Sequence, residues 1–266
     1  LNSVANGLLL RKGPFRRVFV QPAAGDDGGS LGAALYAYHA ILGKKRKLVQ
    51  DNCYYGADFS ESEIGKFLKS RKIKYRKMTE DKLTGFLASA IAHGKVIGFF
   101  HGRAEWGPRA LGARSIMADP RREEMKEIVN TKIKFREPYR PFAPVVLAKK
   151  AKDYFEVGGL EHQYLTNFML GVFPVKPKMR KVIPAVTHVD GSCRLQIVSR
   201  NQNARYYDII KKFGDKTGVY VLMNTSFNLK GEPIVNSPEN AFNTFVKSGL
   251  DILALERYIV LKEDIK

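Results

Sequence analysis

The sequence predicts an α/β fold. Short apolar segments that are typical of buried strands alternate along the chain with longer segments in which apolar residues recur at helical spacing. The 266 residues are 44% hydrophobic and 27% charged, which is the balance of a globular chain with a core of its own. An alternation of strands and helices is typical of an α/β architecture.

The first predicted unit is a strand, a glycine-rich acidic turn and a helix. Residues 17–21 form the predicted strand, residues 25–29 (GDDGG) the turn, and residues 30–41 the helix. Glycines allow the backbone to approach a phosphate, and a carboxylate such as that of Asp26 can hold a cation that bridges phosphates. A plain turn is the alternative interpretation of this composition.

Helix-start signals lie on both sides of the predicted domain boundary. Ser60 and Glu63 have the spacing of a capping box for one helix, and Thr79 begins a second helix whose apolar residues share one face. The basic stretch between the two helices is the predicted boundary. It divides the chain into domains of residues 1–75 and 76–266.

The second domain is predicted to alternate strands with helices to its end. Ser237 and Pro238 mark the start of its last helix, since Pro is favoured at the first helical position. A further predicted helix covers 204–213, and the predicted strands cover 96–100, 143–147, 195–199, 219–223 and 252–261.

Three arginines follow the predicted strand 96–100 in a loop rich in Gly and Pro: Arg103, Arg109 and Arg114. The guanidinium group presents a planar fork of donors that matches phosphate or carboxylate oxygens. Because these arginines stand between Gly and Pro residues, the sequence favours a shaped anion pocket over a smooth, solvated face.

A second basic segment places four cations within nine residues, namely Lys132, Lys134, Arg136 and Arg140. Prolines and aromatic residues separate the cations. Since prolines stiffen a loop, its cations bind an anion at a lower entropic cost. A rigid basic surface loop is the alternative interpretation.

Two further polar clusters are candidates for a site. His188 beside Asp190 resembles a general-base arrangement, although a structural histidine fits the same pattern. The other cluster follows the predicted strand 219–223, at the end of the strand where open α/β sheets bind ligands. Its members are Asn224, Thr225, Ser226 and Asn228.

The composition narrows the classes of partner. A net charge of +19 fits nucleic acid or a phosphorylated small molecule, but the sequence has no zinc-finger, helix-turn-helix or RNA-binding signature, which makes nucleic acid the weaker expectation. No apolar run approaches the roughly 18 residues of a membrane helix. Cys53 and Cys193 form no disulfide framework, so a cytoplasmic location is expected. The chain starts without Met, and we expect it to be part of a longer protein.

Seven blocks of sequence, in this order, resemble the C-terminal half of NodU/CmcH-type O-carbamoyltransferases. They span nearly the whole chain, and together they are a specific signature. The blocks are residues 1–7 (LNSVANG), 22–35 (PAAGDDGGSLGAAL), 102–116 (GRAEWGPRALGARSI), 119–121 (DPR), 134–144 (KFREPYRPFAP), 188–198 (HVDGSCRLQIV) and 224–235 (NTSFNLKGEPIV).

This resemblance implies a YrdC-like twisted open sheet with flanking helices, preceded by a partial actin-like (ATPase-type) α/β subdomain. The YrdC-like part is expected to convert carbamoyl phosphate and ATP into carbamoyl adenylate. The actin-like part is expected to hold a metal and to pass the carbamoyl group to a hydroxyl of a sugar or natural product. Mg²⁺ is implied with ATP, and Fe²⁺ or a similar ion is implied at Asp26, whose histidine partners would precede residue 1.

The resemblance and the residue types together give a predicted site. Lys134, Arg136, Arg109 and His188 are the predicted catalytic residues. The predicted ligands of carbamoyl phosphate and ATP are Arg103, Arg114, Lys132, Arg140, Arg194, Asn224, Thr225, Ser226 and Asn228.

Two other functions stay open at the level of sequence. A YrdC-like synthase of tRNA threonylcarbamoylation would suit the basic balance. A non-catalytic RNA- or nucleotide-binding module would show salt-sensitive affinity without turnover of carbamoyl phosphate.

Overall fold

An eight-stranded mixed sheet organises the fold in the computed structural model, which describes residues 1–159 and 164–265. Its strands are β1 (Arg76–Lys77), β2 (Ile97–Phe100), β3 (Arg114–Ala118), β4 (Ala143–Leu147), β7 (Gln196–Val198), β8 (Val221–Ser226), β9 (Ile252–Leu255) and β10 (Tyr258–Leu261). Between β4 and β7 in sequence, β5 (Val172–Pro174) and β6 (Ser192–Arg194) form a separate two-stranded sheet.

The helices stand between these strands along the chain. They are α1 (Ser3–Lys12), α2 (Gly29–Tyr36), α3 (Glu61–Ser70), α4 (Glu80–Ala92), α5 (Met125–Ile128), α6 (Ala151–Tyr154), α7 (Tyr164–Asn167), α8 (Pro177–Arg180), α9 (Ala204–Thr217) and α10 (Pro238–Lys247). The described part has no helix with the length and apolar character that crossing a membrane requires.

The strand order in the large sheet is β1-β10-β9-β2-β3-β8-β4-β7. The pairs β2–β9 and β4–β7 are parallel, and the other neighbours are antiparallel. As a result, the carboxyl ends of β9, β2 and β8 and the amino ends of β3, β4 and β7 lie along the same edge of the sheet. The α/β fold with flanking helices is therefore confirmed.

The predicted helical periodicity is confirmed by burial. Leu83, Leu87 and Ile91 of α4 have no exposed surface, and α4 packs against α9. Full burial of each such side chain stabilises the fold by about 1.5–3 kcal/mol. The predicted capping box of Ser60 and Glu63 also forms at the start of α3.

Three parts of the predicted secondary structure differ from the structure. Residues 17–21 form no strand. The predicted strand 252–261 is the hairpin of β9 and β10, which turns at Glu256 with a positive φ of 51°. No sequence pattern indicates β3, because its first two residues, Arg114 and Ser115, are polar but fully buried.

The predicted division at residue 75 remains a prediction. Helix α3, from the first predicted domain, packs against α10 of the second.

The large hydrophobic side chains that are exposed lie mainly before residue 50: Leu1, Val4, Leu8, Leu9, Phe15, Phe19, Tyr36, Tyr38, Ile41, Leu42, Leu48 and Val49.

Candidate anion-binding site

Four arginines line one cavity of about 280 Å³ at the sheet edge that holds the carboxyl ends of β9, β2 and β8, which we call the ligand edge. They are Arg109, Arg136, Arg140 and Arg194, and the last three residues of β8, Asn224–Ser226, line the same cavity. Within the described residues, no Asp or Glu lines it. The cavity is therefore strongly cationic, and an anion is its natural ligand.

Three segments that are distant in sequence supply these arginines. Arg109 lies in the loop between β2 and β3, and Arg194 is the last residue of β6. Arg136 and Arg140 lie in the loop that leads into β4. Because β8 stands between β3 and β4 in the sheet, the two loops meet over its carboxyl end.

Arg109, Arg136 and Arg194 lose solvation without gaining a buried counter-ion, whereas Arg140 is exposed and pairs with Glu137 at 2.8 Å. Burial lowers the pKa of Arg194 to about 10, and repulsion from Arg109 and Arg136 adds to this effect. Burial also lowers the pKa of Arg109 and that of Arg136. Moreover, the Nε atoms of Arg109 and Arg194 are buried and have no hydrogen-bond partner among the described residues. A bound anion would relieve both the repulsion and the missing hydrogen bonds.

A fully buried asparagine organises the loop before β4. Asn130 accepts a 2.7 Å hydrogen bond from the Nε–H of Arg136. Its amide nitrogen donates to the carbonyl oxygens of Pro138 at 3.0 Å and Arg140 at 2.9 Å. The Arg136 guanidinium also lies 5.0 Å from the centre of the Phe142 ring. These contacts fix the loop that carries two of the four arginines.

Lys134 ties this loop to the turn after β8. Its ammonium donates to the Ser226 carbonyl at 2.7 Å and to the Asn228 side-chain oxygen at 2.6 Å. Burial and the nearby Arg136 charge lower the pKa of Lys134 to about 7. Lys134 itself does not line the cavity, so its direct contribution is to the position of Ser226.

Arg114 is engaged elsewhere. Its side chain is fully buried and donates to the backbone carbonyls of His101, Ala113 and Ala57 at 3.0–3.1 Å. The guanidinium stacks 3.5 Å from the centre of the Phe100 ring. This arginine holds loops together at the sheet edge and lies outside the four-arginine cavity.

The structure leaves four other predicted site residues outside the cavity: Arg103, Lys132, His188 and Asn228, the last of which lines a neighbouring cavity. Arg103 is exposed and donates to the Tyr55 carbonyl, and Lys132 is exposed on its helical turn. His188 is half-buried, and burial lowers its pKa. The Ser192 hydroxyl donates to Asp190 at 2.6 Å and lies 3.4 Å from Nδ1 of His188, so this hydroxyl stands between the two predicted partners. The predicted roles of these residues remain predictions.

The residues around Asp26 do not form a complete metal site. Asp26 is exposed at the start of a short 3₁₀ turn, Asp26–Gly28. Across residues 1–159 and 164–265, no group of three or more His, Cys, Asp or Glu side chains is placed to hold a metal ion.

Sequence reasoning missed a charged cluster at the other end of the ligand edge. Arg205 pairs with both oxygens of Glu80 at 2.6 and 2.7 Å and with Glu256 at 2.6 Å, next to His101. Glu80, His101 and Arg205 line a cleft of about 460 Å³. The four residues are far apart in sequence and have no shared motif, so no local signal could have brought them together.

A third cavity, of about 380 Å³, adjoins the four-arginine cavity. Pro108 and Ser226 line both the third cavity and the four-arginine cavity. The loop 101–113 therefore contributes to all three cavities along the edge.

Two family descriptions match the chain. Residues 88–262 match "Carbamoyltransferase C-terminus", and residues 1–35 match "Carbamoyltransferase N-terminus". Nodulation protein NolNO of Sinorhizobium fredii is 42% identical over 98% of this chain and 38% of its own length. Nodulation protein NolO of Bradyrhizobium diazoefficiens is 40% identical over 98% of this chain and 47% of its own length. The chain thus spans less than half of these relatives.

Solved structures give weaker likenesses. Full-length HypF in its phosphate- and nucleotide-bound form aligns over 71% of this chain and 23% of its own, at 17% identity and a TM-score of 0.49. A Sua5 variant from P. abyssi aligns over 68% of this chain and 56% of its own, at 14% identity and a TM-score of 0.46.

Proposed function

Because this chain belongs to the carbamoyltransferase family, we propose that its four-arginine cavity binds carbamoyl phosphate and the phosphates of ATP, and that carbamoyl adenylate forms there. The complete protein then transfers the carbamoyl group to a hydroxyl of a sugar or natural-product acceptor. Membership of the family indicates a transferase. Activation by ATP and the class of the acceptor are what we propose in addition.

One observation carries the proposal: four arginines converge on one cavity with no acidic residue among its described lining. Forming an adenylate brings two polyanions together, and their mutual repulsion opposes the reaction. Arginines that are already held in place offset this repulsion without having to reorganise. The hydrogen bonds of Arg136 to Asn130 and of Lys134 to Ser226 support such pre-organisation.

The atom balance defines what the site must do. Carbamoyl phosphate, ATP and one water give carbamoyl adenylate, inorganic phosphate and pyrophosphate. Water first replaces the phosphate of carbamoyl phosphate, which leaves carbamate. A carbamate oxygen then attacks the α-phosphorus of ATP, the bond from this phosphorus to the bridging oxygen breaks, and pyrophosphate leaves. In the final transfer, the acceptor hydroxyl attacks the carbamoyl carbon, loses its proton, and AMP leaves.

The proposed roles follow from position. Arg109, Arg136, Arg140 and Arg194 hold phosphate oxygens and stabilise the charge that develops on the leaving pyrophosphate. ATP enters as its Mg²⁺ complex, so this ion arrives with the substrate. Asp26 is exposed and does not line the four-arginine cavity.

The test measures carbamoyl-phosphate-dependent release of pyrophosphate from ATP by the 266-residue chain. Release is the expected result. A folded chain that binds neither carbamoyl phosphate nor ATP in calorimetry would overturn the proposal. Salt-sensitive RNA binding without this turnover would instead favour one of the nucleic-acid hypotheses.

A further inference from the structure

Asn224 has an unusual place in the four-arginine cavity. It lies in β8, lines the cavity, and has only 1% of its surface exposed. Its Nδ2 donates to the Ala110 carbonyl and to Oε1 of Gln196, both at 3.0 Å. Its Oδ1 is buried and has no hydrogen-bond partner among the residues that the structure describes.

The neighbours fix the orientation of this amide. A backbone carbonyl only accepts hydrogen bonds, so the Asn224 atom that faces Ala110 must be the nitrogen. Gln196 is fixed in the same way, because its Nε2 donates to the Leu111 carbonyl at 2.9 Å and its Oε1 is thereby turned to Asn224. Both hydrogens of Nδ2 are used, and the unpaired atom of Asn224 is an acceptor.

A buried acceptor without a partner is rare in proteins and costs stability. In this cavity, every arginine is a donor, and two of the arginines, Arg109 and Arg194, have unpaired Nε–H groups. A ligand that forms hydrogen bonds with all of these unpaired groups must offer anionic oxygens to the arginines and one N–H or O–H donor to Asn224.

We propose that Oδ1 of Asn224 accepts a hydrogen bond from the NH₂ of the carbamoyl group and thereby selects carbamoyl phosphate over acyl phosphates that have no N–H. This inference rests on the proposed function and deepens it. Acetyl phosphate is the informative comparison, since it carries a methyl group of similar size in place of the NH₂. A methyl group leaves Oδ1 unpaired in a buried site.

The test compares two ligands on the unaltered chain, so its main result does not depend on a variant that folds. Calorimetry gives the dissociation constants of carbamoyl phosphate, acetyl phosphate and inorganic phosphate. We expect carbamoyl phosphate to bind about 10- to 100-fold more tightly than acetyl phosphate, the range for a buried acceptor left unpaired.

The variant Asn224→Ala should bring the affinity ratio of the two acyl phosphates close to one. Asn201→Ala is the matched control, because Asn201 lies on an exposed turn away from the cavity, and it should keep the wild-type ratio. Thermal unfolding of both variants reports whether each is folded.

The outcomes separate this inference from the proposed function. Equal affinities for carbamoyl and acetyl phosphate on the unaltered chain would overturn the role of Asn224 alone; a water molecule bound to Oδ1 would give this result. A preference that survives in Asn224→Ala would overturn it as well. If none of the three ligands binds, the proposed function fails, and the inference fails with it.

Discussion

The Nε–H of Arg136 donates a 2.7 Å hydrogen bond to Oδ1 of Asn130, a residue with no exposed surface. The two hydrogens of the Asn130 amide bind the Pro138 and Arg140 carbonyls. One buried side chain thus sets the direction of one cavity arginine and the backbone position of another. Asn130 is a positioning residue, and its role depends on contacts that the sequence alone does not indicate.

Asn130→Ala should lower both stability and anion affinity. The substitution removes three hydrogen bonds and leaves buried partners unpaired, which predicts a loss of about 1–3 kcal/mol in the free energy of unfolding. Because Arg136 is no longer held, the dissociation constant of inorganic phosphate should rise. Urea unfolding and calorimetry measure the two effects. Unchanged phosphate affinity in the destabilised variant would limit Asn130 to a role in folding.

Arg136→Ala should abolish pyrophosphate release and leave the fold intact. Arg136 lines the cavity, and it is half-buried rather than part of the hydrophobic core. The matched control is Arg46→Ala, at an exposed position in the basic stretch 44–47, and it should retain turnover. Turnover of Arg136→Ala at the wild-type rate, measured by pyrophosphate release, would remove Arg136 from the site.

Anion binding should strengthen as the pH falls through about 7. Burial and Arg136 lower the pKa of Lys134 to about 7, so Lys134 gains its proton, and with it a positive charge, below this pH. Sulfate is the suitable probe, because its own charge is constant over this range. Calorimetry at pH 6 and pH 8 should show tighter binding at pH 6.

The corresponding variant, Lys134→Met, should lose most of this pH dependence. The control His188→Gln tests the other nearby titrating group, whose pKa is lowered by burial. If His188→Gln rather than Lys134→Met removes the pH dependence, the assignment to Lys134 is wrong.

Arg205→Met should destabilise the fold strongly. Glu256 is 9% exposed and would lose its 2.6 Å partner, and removing one member of a buried ion pair costs about 3–5 kcal/mol. Arg200→Met is the control, since Arg200 pairs with Asp208 at the surface and should matter far less. Urea unfolding at pH 7 compares them, and equal effects would contradict the buried role of Arg205.

The ion pair of Arg205 and Glu256 also predicts that the stability of the protein falls in acid. Although burial by itself raises the pKa of Glu256, the contacts with His101, Gly102 and Arg205 outweigh it and lower the pKa to about 2. A depressed carboxyl pKa contributes stability that is fully present above the unfolded value, about 4.5, and is lost as the pH falls towards 2. The free energy of unfolding, measured between pH 5 and pH 2, should therefore depend less steeply on pH in Arg205→Met than in the wild type.

Local signals predicted much of the fold. Capping residues and periodic apolar positions located α3, α4 and α10, because these patterns act within one helix. Strand β3 could not be found in this way, since the burial of Arg114 and Ser115 depends on carbonyls and rings from other segments. The predicted strand over 17–21 is absent, because these residues pair with no neighbouring strand in the structure.

The sequence predicted the residue types of the candidate site, but it predicted only in part which of these residues share one cavity. Glycine, proline and arginine motifs indicated an anion pocket, and the structure brings Arg109, Arg136, Arg140 and Arg194 together. A motif does not indicate which of its arginines will be buried and donate to backbone carbonyls, as Arg114 does. The orientation of the Asn224 amide is set by the Ala110 carbonyl and by Gln196, both of which are distant from Asn224 in sequence.

The residues shared by neighbouring cavities have a thermodynamic consequence. Pro108 and Ser226 line both the four-arginine cavity and the cavity beside it. A ligand that moves either residue on entering one cavity changes the free energy of binding in the other. Linkage then requires the effect to be reciprocal, so each ligand alters the affinity for the other by the same factor. The order in which two substrates arrive leaves that factor unchanged.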